Sequence, residues 1–516
     1  MKSITTSLFC FETLRREDFL YVDKTAEIYK VFFPKSGQYF LARPRRFGKS
    51  LLISTLKAIF EGKRELFRGL AIDSMDYDWK KYPVIHLDMG SAQAKDADEL
   101  RLNLTMLLKN AAADNHIDNF TAETPQIGFI QLIRALAKRS PQGQVVLLVD
   151  EYDKPILGHL GKPDITEIKE KLKAFYSVIK TTSPLQRFAL ITGVSKFSKF
   201  SIFSDLNNLT DLTMDARAAT LLGYTREGLK RFFSDRIDEL AHALGKTRED
   251  TFQELETWYD GYRFHHAAET VFNPVSIGKC FEREELSNYW FETGTPTFLL
   301  KLLKQTPLDL GDLTATEEDF SVYEPEAPAI LPLLVQTGYL TIKAARFAGR
   351  SWRFKLGFPN AEVSDSFNRW MLDIFSDVKQ NRESYLDKIV QALEENDLEV
   401  LFATLSLFFA NIPYDITLKN EKYYQSIFYA IFCLIGAQVE AETRTNIGRI
   451  DAVVKTAERI FLFEFKLNGT AEEALAQIKD RKYQEKYAID PRPVTLLGVA
   501  FDPATRNIGK WIVDRY

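Results

Sequence analysis

The sequence predicts an α/β protein, and three patterns carry that prediction. Between residues 20 and 215, the nearly continuous apolar runs "YFLARP", "PVIHLDM", "QVVLLVD" and "RFALITGV" alternate with helical stretches. Strands buried on both faces of a parallel sheet read this way. From about 220 to 410 the strand signal fades, and "TREGLKRFFSDRIDELAHAL" and "RESYLDKIVQALEENDLEVLFATLSLFF" carry apolar residues at helical spacing. From about 415 onward the order is helix, short strands, helix, strand. The expected organisation is a parallel-sheet domain at 1–215, a mainly helical connector or lid at 216–410, and a smaller α/β domain at 411–516.

The bulk numbers fit a globular chain. Its 516 residues are 45% hydrophobic and 27% charged, with a net charge of -4, which argues against an overall basic coat but leaves room for a local basic groove. Three scattered cysteines (Cys10, Cys280, Cys433) form no CxxC pair, as expected in a reducing compartment without a zinc framework. The pair His265-His266 lacks metal-ligand spacing and reads as structural. The apolar runs "LFATLSLFFANI" and "IFYAIFCLIGAQV" fall short of the roughly 20 residues that span a bilayer, and the N-terminus carries no signal-type segment. A cytoplasmic protein with no membrane role is expected.

The first strand, "YFLAR", runs into a loop that ends Gly48-Lys49-Ser50 and opens an amphipathic helix. Backbone N–H groups and a helix N-terminus in this setting wrap phosphates, the lysine reaches the terminal ones, and the hydroxyl holds Mg²⁺. The expected ATP cradle is Arg46, Phe47, Gly48, Lys49, Ser50 and Leu51. The pattern GxxxxGK[ST] calls for glycine at residue 43, where the chain has Arg43. That cationic side chain replaces backbone freedom. Arg43, Arg45 and Arg46 are therefore candidates for phosphate contacts or for a partner's surface. The buried strand "QVVLLVDEYDKP" supplies the second half: Asp150 to organise the metal and Glu151 to polarise the attacking water. Thr192 and Ser195, at the end of "RFALITGVSKFS", are candidate sensors of the γ-phosphate.

These segments carry a resemblance. "YFLARPRRFGKSLL", "VVLLVDEYDKPI" and "ALITGVSKFSKFSIFSDLNNLTDLT" resemble the bacterial AAA-ATPase-like family, in which RPRRFGKS stands in place of the full glycine loop. "WYDGYRF", "NPVSIGKCF" and "NYWFETG" extend the likeness to about residue 295. The resemblance implies a P-loop ATPase domain joined to a C-terminal nuclease-like domain. It also implies that a ring or other homo-oligomer, with a neighbour's arginine completing the site, is open to this chain.

The C-terminal segment "GRIDAVVKTAERIFLFEFKLNGTAEEALAQIKDRKYQEKY" answers that implication. Ile460, Leu462, Glu464 and Lys466 alternate onto one strand face, and Phe461, Phe463 and Phe465 onto the other. Asp451, on the preceding strand, reaches the same face across the turn "KTAER". Two carboxylates make a hard-oxygen site for Mg²⁺ or Mn²⁺. Lys466 would orient or deprotonate the attacking water, or stabilise the developing charge. The order Asp…Glu-x-Lys resembles the PD-(D/E)xK restriction-endonuclease-like superfamily, with Ile450 in place of its proline. The likeness implies Glu421 and Gln477 as accessory residues. Lys479, Arg481, Lys482 and Lys486, interleaved with Tyr483 and Tyr487, offer a face for a phosphate backbone, although a solvated helix face is the commoner meaning of such a run.

Three functions remain open on sequence alone. The chain is an ATPase coupled to a metal-dependent nuclease, DNA being the favoured substrate. Alternatively it is a nucleotide-switched module that binds nucleic acid or protein and cuts nothing. In the third, it is a plain ATPase whose last domain serves assembly.

Overall fold

The computed structural model describes residues 2–33, 36–196, 208–290, 299, 313–320, 330–375, 382–410, 421–435, 438–444, 449–502, 504–505 and 507–516; side chains at 374–375, 421–426, 438–444 and 449–450 lie outside that description. The chain divides into two compact units, one comprising Met1–Tyr289 with Ala315–Ala361, the other Trp290–Thr314 with Glu362–Tyr516.

The first unit is built on a parallel five-stranded sheet of β1 (Gly37–Ala42), β2 (Val84–Asp88), β3 (Val145–Asp150), β4 (Gln186–Gly193) and β5 (Thr210–Asp211), ordered β2-β3-β4-β1-β5. All six residues of β3 are buried, so both faces of the sheet are covered, as the unbroken apolar run requires. Helices Lys49–Phe60, Ala97–Asp114 and Pro125–Arg139 pack on it. Their starts are set by short polar caps: Asp96 accepts from the Glu99 amide, and Thr124 from the Ile127 amide ahead of Pro125. The register aligns Asp88 with Asp150 and Ala42 with Gly193. The strand tips that carry the predicted phosphate loop and acids therefore come level at one sheet edge.

"TREGLKRFFSDRIDELAHAL" forms two helices, Arg226–Phe232 and Ser234–Leu244. With Arg248–Tyr259 and Pro274–Arg283 they close a separate core that includes Leu229, Phe233, Ile237, Leu255, Ile277 and Phe281. A small sheet follows, β6 (Thr314–Thr316), β7 (Thr341–Ala348) and β8 (Ser351–Gly357), ordered β6-β8-β7. Helix Ile330–Thr337 leads into β7.

In the second unit, "RESYL…SLFF" is two helices, Arg382–Glu395 and Leu398–Ala410. The break falls at Asn396, whose φ of 55° ends one helix, while Asp397 caps the next by accepting from Val400 N. Helix Glu421–Leu434 precedes a mixed sheet of β9 (Gln438–Arg444), β10 (Arg449–Lys455), β11 (Ile460–Lys466), β12 (Val494–Asp502) and β13 (Asn507–Arg515). Its order is β13-β12-β11-β10-β9, and only the β11–β12 pairing is parallel. Period-2 alternation on β11 sends Phe463 and Phe465 against Phe428, with ring centroids 4.9 and 5.0 Å apart. Ile460 and Leu462 meet Ile478, Tyr483 and Tyr487 on the opposite side. No helix among the described residues is long and apolar enough to cross a membrane.

Candidate functional site: a phosphate loop and an acid–amine sheet face

The loop after β1 keeps its shape without a glycine at its start. Arg43 has a negative φ, and the left-handed positions fall on Arg46 (φ 66°) and Gly48 (φ 86°). Gly48 caps helix Lys49–Phe60 in a conformation that glycine adopts at least cost. Arg43 is not a phosphate ligand. Its side chain is 1% exposed and donates at 2.8 Å to the carbonyls of Ala42, Thr213 and Ala218. Its guanidinium carbon lies 4.1 Å from the centre of the Phe264 ring. It is a buried strut that ties the loop's first residue to two distant segments. Burial pulls the guanidinium pKa down, and Asp211 opposes that shift.

Phe47 is likewise buried, edge-on to Tyr262 and Phe264 at 4.8 and 5.3 Å. Its side chain anchors the loop to the "YDGYRF" segment, which leaves its backbone as the part available to a ligand. Arg46 donates to the Tyr289 carbonyl. The Lys49 ammonium is buried and folds back over the loop, donating to Arg43 O (3.0 Å) and Pro44 O (2.9 Å). Desolvation lowers its pKa, while Asp150, Asp153 and Glu151 favour the charge.

Ser50, Asp150 and Glu151 line one cleft of about 560 Å³, together with His86, Asp88 and Gly90. Leu51 sits half-buried on the helix's first turn. Asp150 is buried and accepts from Thr192 Oγ1 at 2.6 Å and from the Glu151 amide at 3.0 Å. Glu151 is held at φ 51°, with Lys154 Nζ 3.5 Å from its carboxylate. Thr192 is thus bound to the acid it neighbours. Ser195 is fully buried, its hydroxyl and amide both donating to Asp153 at 2.5 and 2.7 Å. That bond stands against its reading as a γ-phosphate sensor and makes it part of the clasp between the tips of β3 and β4. Sequence reasoning passed over Asp153, although a third acid in "DEYD" is the signal that could have marked it.

The second site lies on β10 and β11. Antiparallel pairing sets Ala452 opposite Phe463, so Asp451 comes level with Glu464 and Phe465. Asp451 Oδ2 accepts from the Phe465 amide at 2.8 Å. Glu464 is 1% exposed. Its Oε1 accepts from Lys466 Nζ at 3.3 Å and from the Gln477 side-chain amide, and Lys466 Nζ donates to Gln477 Oε1 at 2.8 Å. Glu464 Oε2 is buried and has no hydrogen-bond partner among the described residues. Burial first, and Asp451 second, push the Glu464 carboxyl up to about 8, against the pull of Lys466. A buried, unpaired oxygen beside a second carboxylate wants a cation, so the donor set fits a hard divalent ion. Among the described residues no cluster of three or more His, Cys, Asp or Glu side chains joins it. The Glu421 side chain lies outside the described residues.

Gly498, another position that sequence reading missed, explains how Gln477 arrives. It pairs with Glu464 in the sheet, and a Cβ there would stand 2.3 Å from Ala471 O and 2.7 Å from Leu475 N. The missing side chain lets helix Ala471–Asp480 settle on β12. A capping box between Thr470 and Glu473 fixes that helix's start. The basic residues of this segment agree with the solvated face that such a run more often means, Lys479 and Lys482 pairing with Asp514 and Glu485, while Tyr483 and Tyr487 are 2% and 5% exposed core residues and offer no ring for stacking. Interleaved aromatics there serve packing, which a surface-helix reading cannot see.

A parallel-sheet unit whose first strand runs into a lysine-bearing loop and helix, carried with a sheet that gathers Asp451, Glu464 and Lys466, defines a two-part protein of ATPase-like and nuclease-like type. The family described as "Predicted AAA-ATPase" matches residues 6–203, and the PD-(D/E)XK nuclease superfamily matches residues 419–511. The chain belongs to this AAA-ATPase-like family with a C-terminal PD-(D/E)XK nuclease domain. It is 37% identical over 527 residues to an Azotobacter chroococcum mcd 1 protein described as "Uncharacterized protein in vnfD 5'region", covering 99% of both chains.

Proposed function

We propose that the protein is a nucleotide-regulated, Mg²⁺- or Mn²⁺-dependent nuclease acting on DNA in the cytoplasm. The observation that carries this reading is the unpaired, buried Glu464 Oε2 beside Asp451, with the Lys466 amine held at the same carboxylate. A bound divalent ion supplies charge neutralisation at the scissile phosphate and a more acidic water. Asp451, fixed by the Phe465 amide, and Glu464, fixed by Gln477, hold the two carboxylates in register. Lys466 stands between Glu464 and Gln477, where it can orient a water or meet developing negative charge. In the other unit, Lys49 would leave the loop carbonyls for the phosphates, while Ser50 and Asp150 would hold Mg²⁺ and Glu151 the attacking water.

Supercoiled plasmid incubated with Mn²⁺ tests this. Nicking or linearisation by the wild type, and at least about a hundredfold less by Lys466→Ala, is the expected result. No cleavage of any nucleic acid, or equal cleavage by that variant, contradicts it. One observation favours a second reading, in which ATP is bound as a switch and turned over slowly. Lys49 and Glu151 are both engaged within the protein, so the loop must open before it works. ATP-dependent DNA retention without product release distinguishes that reading.

A further inference from the structure

The hairpin β7–β8, in the first unit, has a composition that its stability does not explain. Between Thr341 and Gly357 lie five basic residues, Lys343, Arg346, Arg350, Arg353 and Lys355, and no acidic one, in a chain of net charge -4. The register puts Arg346 directly opposite Arg353 and Ala344 opposite Lys355. Directly opposed residues share a face, so Arg346, Arg353 and Lys355 form one exposed basic surface spaced by alanines. Like charges set opposite one another across strands destabilise a hairpin. Lys343 is tied down at the base by a bond to Pro359 O, and Arg350 stands exposed at the tip beside Gly349. The exposed acids Glu317, Glu318 and Asp319 follow β6, which pairs with the other edge of β8.

The opposite face is apolar and aromatic. Phe354 and Leu356 are buried toward the base. Nearer the tip, a row of rings runs outward: His265 to His266 at 4.3 Å, His266 to Trp352 at 4.0 Å, and Trp352 to Phe347 at 5.5 Å. It ends on Phe347, which is 62% exposed. The histidine pair thus belongs to a ladder of tilted and edge-on rings, and the ladder's outer end is open to solvent.

We infer that this hairpin is a nucleic-acid grip. Arg346, Arg353 and Lys355 take the phosphate backbone, and Phe347 at the ladder's end takes an unpaired base. Charge complementarity selects the partner. A hairpin face with three exposed basic side chains and no acid of its own fits a polyphosphate chain, and an exposed ring at the end of a row of packed rings fits a base better than it fits a protein helix. The inference extends the nucleic-acid reading of the nuclease site, and binding measured without metal keeps the two apart.

The test is fluorescence anisotropy of the full-length chain with a labelled single-stranded oligonucleotide and its duplex, in EDTA, across a salt series. Arg346→Ala/Arg353→Ala is expected to bind both at least about tenfold more weakly, and to flatten the salt dependence by roughly 1.4 on the single strand. Phe347→Ala is expected to weaken the single strand selectively. Removing opposed like charges should leave the melting temperature equal or higher, whereas a merely structural role would lower it. Should the double variant fail to fold, Arg350→Ala, exposed at the tip, is expected to flatten the single-strand salt dependence by roughly 0.7. Unchanged affinity and salt slope in these variants overturn the inference, as does wild-type protein that binds anionic phosphatidylserine vesicles and no oligonucleotide. Hairpin-dependent binding in a chain that cuts nothing leaves the grip standing and removes the nuclease reading. Cleavage with hairpin-independent binding does the reverse.

Discussion

Arg43 occupies a position where a phosphate loop ordinarily needs glycine, and its three carbonyl acceptors and the Phe264 ring make it part of the loop's foundation. Truncation removes charge-assisted bonds worth about 1.5–3 kcal/mol each and strands buried carbonyls. Arg43→Ala is therefore expected to lose roughly 3 kcal/mol or more in denaturant titration. Arg43→Lys should not rescue it, because an ammonium lacks the planar fork that reaches several acceptors. Glu464 predicts the opposite kind of result. Its carboxyl is raised to about 8 in the folded protein, above its ordinary 4.5. The folded state therefore holds a proton that the unfolded state has released. This contribution to stability is fully present below pH 4.5 and is lost as pH rises through about 8. Glu464→Gln should flatten that slope in metal-free protein and raise its melting temperature at pH 8, while abolishing Mn²⁺-dependent cleavage. A lower melting temperature at pH 8 in the variant would contradict the assignment.

Among the elements, β11 was the most legible in sequence, because a strict period of two separates Glu464 and Lys466 from three phenylalanines. Four of the five strands of the parallel sheet and the helices between them were legible for a similar reason, their apolar runs being long and unbroken. Arg43 was not legible: Thr213, Ala218 and Phe264 lie far away in the chain, and no local pattern foretells a bond across that distance. Tyr483 and Tyr487 misled because aromatic residues among lysines look alike in sequence whether the ring faces water or core. Gly498 was invisible without the helix that lies on it. Gly498→Ala would drive a Cβ into backbone atoms of helix Ala471–Asp480 at a cost of about 1–3 kcal/mol. It should also displace Gln477 from Glu464 and reduce cleavage about tenfold or more, since small misplacements in a site carry large rate penalties. A variant with wild-type cleavage would show that Gln477 does not position the acid.

At the scale of the whole molecule, two chemistries share one chain, and each has its own test residue. Lys49→Ala removes the amine that the phosphate loop holds and should abolish ATP binding in filter or fluorescence assays. The Asp451–Glu464 pair should remain able to take up metal, because the two sites belong to separate compact units. Loss of both functions in that single variant would mean that the units do not fold independently.

The claim on which the account rests is that Asp451 and Glu464 together hold a divalent cation. Isothermal titration of Mn²⁺ into nucleotide-free protein at pH 8 measures it directly. The account predicts saturable binding by the wild type that disappears in both Asp451→Asn and Glu464→Gln and survives in Lys49→Ala. Undetectable binding by the wild type, or equal binding by the two carboxylate variants, would contradict it.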